Sequence, residues 1–329
     1  MDDDDASEPT FPLLRLPMNA IKNVINLMFV FRMFGFSLVS KQTLKLVSES
    51  QPKKSSVIVT FNAPGTRYRI EIAVQDRMFF RFDPSQQFDQ SPLPRIWLYC
   101  PIRTRWVHDN YTKEGYTVKN WVDRILKTFN SSLKIDELNW FDDHMRYDVA
   151  SVRRVFPRCG HLELAISNSQ YALITQVFHD ADSIKITGNG DMQTRLKSIE
   201  FQNYSRLVTD GIVSFETLQR INAKCFRINS RGLSEKEMNR FLKLWAGGTH
   251  PQLKHYVTWV KKTYFGEVTT EIILRGIKHN EATEEVHCGF CSTRTEINGY
   301  YIYRYDGRRA IIGLEDDGNW IKFTMFSEY

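Results

Sequence analysis

The pair Cys288 and Cys291 forms a Cys-x-x-Cys, the spacing in this sequence most typical of metal or redox chemistry. A structural zinc site needs four ligands, and the chain has no second Cys-x-x-Cys. Cys159 and His161 are candidates for the missing pair, but only distant folding would bring them to the first. A redox Cys-x-x-Cys stands at the start of a helix, whereas this one precedes predicted strands. The sequence therefore predicts neither a metal site nor a redox site.

Other arrangements that carry catalysis are also missing. Residues 188–190 read Gly-Asn-Gly, but the Lys and Ser/Thr of a phosphate-binding loop do not follow. His144 stands next to Asp142 and Asp143 in a stretch typical of a solvated loop. The Gly-x-Ser-x-Gly of a serine hydrolase does not occur. We therefore expect a protein that is not an enzyme and uses no cofactor.

Cysteine usage and the acidic start indicate a reducing compartment. The 329 residues include five cysteines at irregular spacing, which argues against a disulfide scaffold. Met1 is followed by four aspartates, where a secretory signal requires positive charge. The longest apolar run, residues 24–39, contains Asn26 and Arg32 and is short for a bilayer span. We expect a location in the cytosol or the nucleus and no membrane.

The formal net charge is +6, and the Lys and Arg residues are scattered along the chain. A mild surplus of this kind is typical of a soluble surface. A nucleic-acid interface would require clustered basic residues, so a nucleic-acid-binding module remains only as an alternative.

Residues 11–50 are rich in apolar side chains after an acidic tail, residues 1–10, that we expect to be disordered. The pattern predicts a helix over residues 18–28, begun by Pro17, and a second helical stretch around residues 33–47. These helices are apolar on more than one face. Forty residues bury too little surface to cover such faces alone. Either the rest of the chain or a second protein must cover them.

Residues 13–25, with the pair Leu16 and Pro17, resemble the opening of an F-box, and residues 36–41 resemble its closing helix. The resemblance implies binding to the Skp-family adaptor of a cullin-based ubiquitin ligase. The positions it implies for adaptor contact are Leu16, Pro17, Ile21, Val24, Ile25 and Met28. Asn19 replaces an acidic residue of the family and Thr43 replaces its Trp, and both differences lie outside the apolar stripe.

Residues 57–117 alternate with a period of two and predict a small antiparallel β region. From residue 118 onward, helices and strands alternate, with a recurring apolar-x-apolar strand motif. The predicted strands of this motif centre on residues 133–135, 162–164, 184–186, 199–201 and 226–228. The pattern resembles an irregular leucine-rich repeat, and an ordinary α/β domain is the alternative. Strand residues between the apolar ones are candidates for target contact, namely Glu163, Lys185, Glu200 and Arg227.

A second resemblance lies in the C-terminal half. Residues 239–253 resemble the signature of the type-2 F-box-associated domain, which occurs in large nematode F-box families, and residues 303–312 resemble the last hairpin of those proteins. Ser234 and Glu237 predict a capping box before the signature helix. The Asp-Gly pairs at residues 306–307 and 317–318 predict hairpin turns.

Together these patterns predict an α+β or α/β fold. It consists of an F-box over residues 11–50, a β region over 57–117, and a repeat-like F-box-associated domain over 118–329 that ends in antiparallel strands. The function implied is that of a substrate receptor, which binds an adaptor and, through it, a cullin, and presents a target protein. A protein-interaction adaptor that delivers nothing for ubiquitination is the alternative.

Overall fold

The computed structural model describes most of the chain. The described residues are 13–50, 56–62, 69–74, 78–82, 95–102, 105–129, 134–141, 147–165, 171–188, 192–197, 199, 203–262, 268–290 and 292–328. The helices in these ranges are a short 3₁₀ turn (Leu13–Arg15), α1 (Met18–Leu27), α2 (Val30–Val39), α3 (Lys41–Ser50), α4 (Val118–Thr128), α5 (Val149–Val155), α6 (Tyr171–Val177), α7 (Met192–Lys197), α8 (Phe215–Arg220), α9 (Glu235–Ala246) and α10 (Val268–Leu274). The strands are β1 (Val57–Asn62), β2 (Arg69–Val74), β3 (Met78–Phe82), β4 (Arg95–Ile102), β5 (Arg105–Thr112), β6 (Lys134–Trp140), β7 (Arg158–Leu164), β8 (Ser183–Ile186), β9 (Tyr204–Thr209), β10 (Ala223–Ser234), β11 (His255–Lys261), β12 (His279–Cys288), β13 (Thr293–Tyr303), β14 (Arg309–Asp317) and β15 (Trp320–Ser327).

The chain forms two compact units. The first comprises residues 1–57 and 71–133, and the second comprises residues 58–70 and 134–329. The units do not divide between residues 117 and 118, where the sequence analysis placed a boundary. The reason is that α4 packs with α2 and α3 in the first unit. The predicted acidic tail, residues 1–10, lies outside the described residues.

The N-terminal region has three helices, and α1 and α2 both pack against α3. The single stretch predicted over residues 33–47 is wrong, because the backbone is extended at Ser40 (φ −154°, ψ 172°). The Ser40 hydroxyl accepts a hydrogen bond from the Thr43 amide at 3.1 Å, and the Thr43 hydroxyl accepts one from the Ser40 amide at 3.0 Å. This reciprocal cap starts α3 as a separate helix.

The rest of the first unit is the predicted antiparallel β region and α4. β3 pairs with β4 and β4 with β5, both antiparallel. A capping box at Thr117 and Asn120 starts α4, whose buried face includes Trp121 and Ile125. Antiparallel strands and an amphipathic helix thus form one core with the N-terminal helices.

In the second unit, seven strands lie in the order β1-β6-β7-β8-β9-β10-β11, each parallel to its neighbour. From β6 onward the strand order follows the chain, and right-handed crossovers then put the connecting helices on one face of the sheet. The opposite face carries no helix of this series, and we call it the open face. The helix-facing row is buried and consists of Leu138, Leu162, Ile184, Leu207, Phe226 and Tyr256.

One repeat differs from the prediction. A strand was expected over residues 198–202, with little room for a helix before it. Instead Ile199 lies in a turn that follows α7, and its amide donates to the Leu196 carbonyl at 3.0 Å. The strand of this repeat is β9, where Leu207 aligns with Ile184 and Phe226. Residues 198 and 200–202 lie outside the described residues.

Antiparallel strands complete the second unit. β15 pairs antiparallel with β11, and β14, β13 and β12 follow in that order. The predicted hairpin turns are confirmed, with Gly307 at φ 88° and Gly318 at φ 66°, conformations that favour glycine. The predicted fold class is also confirmed, with N-terminal helices, a β-rich region and C-terminal antiparallel strands. Within the described residues, every helix is too short or too polar to cross a bilayer.

Candidate functional site

The N-terminal helices present large apolar side chains to solvent. Of the eleven such exposed side chains in the described residues, five lie within residues 13–50. They are Leu14, Met18, Leu27, Phe29 and Val39, and we call them the N-terminal apolar surface. Leu27 is 85% exposed and Val39 is 72% exposed. Single exposed apolar residues are ordinary, but this concentration in a short segment is typical of a protein-interaction surface.

The residues predicted for adaptor contact divide into two groups. Ile21 and Ile25 are buried, at 3% and 0% exposed. The other four are accessible: Leu16, Val24 and Met28 are half-buried and Pro17 is exposed. The six residues predicted to form one binding face therefore do not all face solvent, because Ile21 and Ile25 pack inside the first unit.

Sequence reasoning noticed the apolar residues of the N-terminal apolar surface but did not assign them to a partner. A signal was present, since Leu27 follows Ile25 by two positions and so lies about 200° further around the helix. A helix that buries Ile25 must therefore turn Leu27 away from its own chain.

The buried side of α2 fixes the position of this surface. Phe34 is fully buried and makes edge or stacked ring contacts with Phe80, Tyr111, Trp121 and Phe129, at centroid distances of 4.8 to 6.4 Å. Such aromatic contacts add to the free energy of area burial. They anchor α2 to α4 and to the antiparallel strands.

Polar side chains of the first unit also hold α2 in place through hydrogen bonds. The Tyr111 hydroxyl donates to the Phe31 carbonyl at 2.5 Å, and Lys113 donates to the Leu38 carbonyl at 2.9 Å. Arg124 donates to the Ser37 carbonyl at 2.8 Å, and the Thr128 hydroxyl donates to the buried Ser37 hydroxyl at 3.0 Å. Burial raises the pKa of Tyr111, with the nearby Asp109 charge adding to the effect, so the phenol stays protonated. These side chains position the exposed residues on a rigid support.

The open face of the second unit carries the predicted target contacts. Glu163 and Lys185 lie in register on β7 and β8 and form an ion pair at 2.6 Å. Arg227 is exposed on β10, two strands further on. Three of the four predicted residues thus share one row, and the fourth, Glu200, lies outside the described residues.

His161 is a polar neighbour on the open face, and the sequence analysis considered it only as a candidate metal ligand. His161 Nδ1 lies 2.6 Å from the Ser183 hydroxyl, one row below the Glu163–Lys185 pair. Burial lowers the pKa of His161, which favours the neutral imidazole near pH 7. Its ring, Glu137 and Glu163 lie close enough to hold a cation. Glu163 is, however, already paired with Lys185 at 2.6 Å.

Comparison with known proteins supports the resemblances. Residues 195–257 match the family model described as "F-box associated". A Caenorhabditis elegans protein, "F-box associated domain-containing protein sdz-33", is 23% identical over 256 residues, which cover 75% of this chain and 78% of that protein. No solved structure matches. The matched segment contains β9, β10 and α9, which are built around the buried row of the parallel sheet, and the match supports the resemblance of this part of the chain to the F-box-associated domain.

Proposed function

We propose that this protein is the substrate receptor of a cullin-based ubiquitin ligase and binds a Skp-family adaptor through the N-terminal apolar surface. The observation that carries the proposal is the concentration of exposed apolar side chains on the 3₁₀ turn, α1, α2 and the α1–α2 connection, while the opposite sides of α1 and α2 are buried. The family supports it, since F-box-associated domains are named for the F-box that they accompany. The receptor itself is non-catalytic and acts in the cytosol or the nucleus.

A comparison of the free energy of apolar burial with the cost of association indicates that several contacts, rather than one, carry adaptor binding. Burial of five large apolar side chains contributes roughly 7 to 15 kcal/mol, at about 1.5 to 3 kcal/mol each. Association costs an estimated 4 to 15 kcal/mol or so. The accessible Leu16, Pro17, Val24 and Met28 therefore contribute to docking as well. A single truncation should weaken binding without abolishing it.

The test is co-expression of the full chain with a Skp-family adaptor. The wild-type chain should form a stable heterodimer, and cullin should co-purify with it. Leu27→Asp combined with Phe29→Asp should reduce adaptor binding at least tenfold, because both side chains are exposed and the charges disrupt only a partner interface. Ile212→Asp is the matched control, since Ile212 is 64% exposed but lies in the second unit. A monomeric wild-type chain with no adaptor bound would overturn the proposal.

The open face is our proposed target-binding surface. Reversing both members of the ion pair, Glu163→Lys with Lys185→Glu, keeps an ion pair but exchanges the charge pattern. Arg227→Glu reverses the charge of an exposed residue in the same row. We expect each variant to fold, to bind the adaptor and to lose proteins that co-purify with the wild-type chain. Unchanged target binding and turnover in both variants would exclude this face.

A further inference from the structure

Three side chains that ligate soft metals meet inside the second unit. Cys225 lies on β10, His255 begins β11 and Cys288 ends β12, and all three are buried, at 2%, 4% and 4% exposed. Their ligand atoms lie within 4.8 Å of one another, and Cys225 Sγ is 3.5 Å from His255 Nδ1. The cluster is separate from the N-terminal apolar surface and from the Glu163–Lys185 row.

The sheet brings two of the three together directly. Cys225 and His255 are register partners across β10 and β11, on the open face. The third residue, Cys288, lies on β12, the edge strand of the antiparallel part. Three strands, β15, β14 and β13, separate β12 from β11 in the sheet. In a flat sheet, four strand spacings of about 4.8 Å would put Cys288 on the order of 19 Å from His255. The β12–β13 hairpin therefore curls over the open face.

The curled hairpin encloses a small apolar core. Its buried members are Cys225, Cys288, Ile297, Ile311 and Phe326, with Ala282, Val286 and Tyr301 packed against them. A core of this size contributes little by itself, and a metal is one of the usual ways to fix such a small element. Cys288 and Phe326 also line a cleft of about 320 Å³ beside this core.

The donor set favours zinc. Thiolate and imidazole ligands select zinc over magnesium and calcium, which prefer oxygen. A tetrahedral zinc with Zn–S bonds of about 2.3 Å and Zn–N bonds of about 2.0 Å holds sulfur and nitrogen about 3.5 Å apart. The Cys225–His255 separation already has this value. Cys288 also belongs to a Cys-x-x-Cys, a spacing typical of zinc sites.

We propose that Cys225, His255 and Cys288 bind one Zn²⁺ ion, with water as the fourth tetrahedral ligand, and that the ion fastens the β12–β13 hairpin onto the open face of the sheet. The sequence analysis predicted no metal because it considered Cys159 and His161 as the second pair. The structure instead places the Cys159 thiol against the His161 carbonyl, where it donates a hydrogen bond at 2.7 Å. Binding replaces the thiol protons by the metal, so that zinc affinity rises with pH.

The experiment measures metal on the full-length chain. Elemental analysis of the purified wild-type protein should give about one zinc per chain, and Co²⁺ substitution should give a thiolate-to-cobalt charge-transfer band with the d–d bands of a tetrahedral site. Cys225→Ser and Cys288→Ser should each reduce zinc occupancy at least tenfold, and the double variant should lose the charge-transfer band. Cys159→Ser is the matched control, because Cys159 is also buried but lies outside the cluster, and it should keep full occupancy.

Two further readouts keep the test independent of how well the variants fold. A chelator should lower the thermal midpoint of the wild-type chain and leave that of Cys225→Ser unchanged, since only the former has bound metal to lose. Cys291→Ser should keep a charge-transfer band from the two thiolates of the cluster. A wild-type chain without zinc and without the cobalt band would overturn the proposal. The contact between Cys225 and His255 would then be only a thiol–imidazole hydrogen bond. Zinc retained by both Cys225→Ser and His255→Gln would overturn the ligand assignment.

Discussion

His250 is a half-buried imidazole inside residues 239–253, the segment that resembles the F-box-associated domain. Its Nδ1 donates to the Ile221 carbonyl at 3.2 Å, its ring lies 5.3 Å from that of Phe241, and its backbone is left-handed at φ 51°. Burial lowers the pKa of His250, and the nearby Arg304 charge lowers it further, while the Ile221 carbonyl opposes the shift. The neutral ring is therefore part of the folded structure.

This pKa shift predicts a stability loss on mild acidification. Below about pH 6.5 the unfolded imidazole takes up a proton that the folded one does not, so the free energy of unfolding falls as pH decreases from 7.5 to 5.5. His250→Asn tolerates the left-handed backbone and removes the titrating group. Urea unfolding at both pH values should show a smaller pH-dependent loss in the variant. An unchanged loss would mean that His250 does not contribute.

Gly299 predicts a second effect at a single residue. A Cβ built at this position would lie 1.8 Å from the Ile312 carbonyl oxygen on the neighbouring strand, a distance that a backbone atom cannot accommodate. Gly299→Ala must push β13 away from β14, and we expect the free energy of unfolding to fall by about 1 to 3 kcal/mol. Glu296→Ala, exposed on the same strand, should change it by less than about 0.5 kcal/mol. Equal midpoints in thermal melts of the two variants would contradict this packing.

At this scale the sequence predicted some residues and not others. The Ser234–Glu237 capping box depends only on local spacing, and the structure confirms it with both reciprocal hydrogen bonds. The Cys225–His255 pair depends on the register of two strands 30 residues apart in sequence. No local pattern encodes that register, so the sequence alone could not bring these ligands together.

Among the secondary-structure elements, α9 and the last hairpin are joined by one buried cation. Arg304, 5% exposed, donates to the Thr249 carbonyl at 3.2 Å and to the Gly248 carbonyl, both just beyond the end of α9. Its guanidinium lies 6.0 Å from the Trp245 ring. The two stretches that resemble the family, residues 239–253 and 303–312, therefore meet in the fold.

Removing this cation should destabilise the second unit. Arg304→Met keeps the apolar stem but leaves the Gly248 and Thr249 carbonyls without this charged donor. Since a hydrogen bond to a charged group contributes about 1.5 to 3 kcal/mol, we expect the free energy of unfolding to fall by about 3 kcal/mol. Lys322→Met removes an exposed cation that pairs with Glu315, and it should cost less than about 1 kcal/mol. Similar urea midpoints for the two variants would show that Arg304 is not a structural link.

Errors in predicting elements arose where a local motif indicated the wrong segment. The sequence analysis placed a strand at residues 199–201, where Ile199 and Phe201 fit the apolar-x-apolar motif, and predicted none at residues 207–209. The structure uses the second segment because α7 occupies the preceding segment and Leu207 completes the buried row. The break at Ser40 was missed for a similar reason, since its cap is a pair of short side chains inside a continuous apolar pattern.

For the molecule as a whole, the sequence predicted the order of helices, antiparallel strands, repeats and hairpins but not the division into units. Periodicity identifies each element because it follows from the backbone of that element. It does not indicate which elements share a core. The aromatic cluster around Phe34 joins α2 to residues some 45 to 95 positions later, and nothing in the pattern of residues 11–50 specifies those partners.

This shared core predicts that the N-terminal helices are not an independent module. Phe34→Ala removes a fully buried ring from contact with Phe80 and Phe129, and such truncations cost about 3 to 5 kcal/mol. We expect the amides of α4, which lies over 80 residues away in sequence, to lose hydrogen-exchange protection by at least a hundredfold, because α4 loses the same contacts. Val39→Ala is the control in the same helix, since Val39 is 72% exposed, and it should leave α4 protection unchanged. If Phe34→Ala unprotected only residues 13–50, the helices would fold separately and the adaptor would bind a detachable domain. Loss across both segments would mean instead that the adaptor-binding surface exists only when the first unit is folded as a whole.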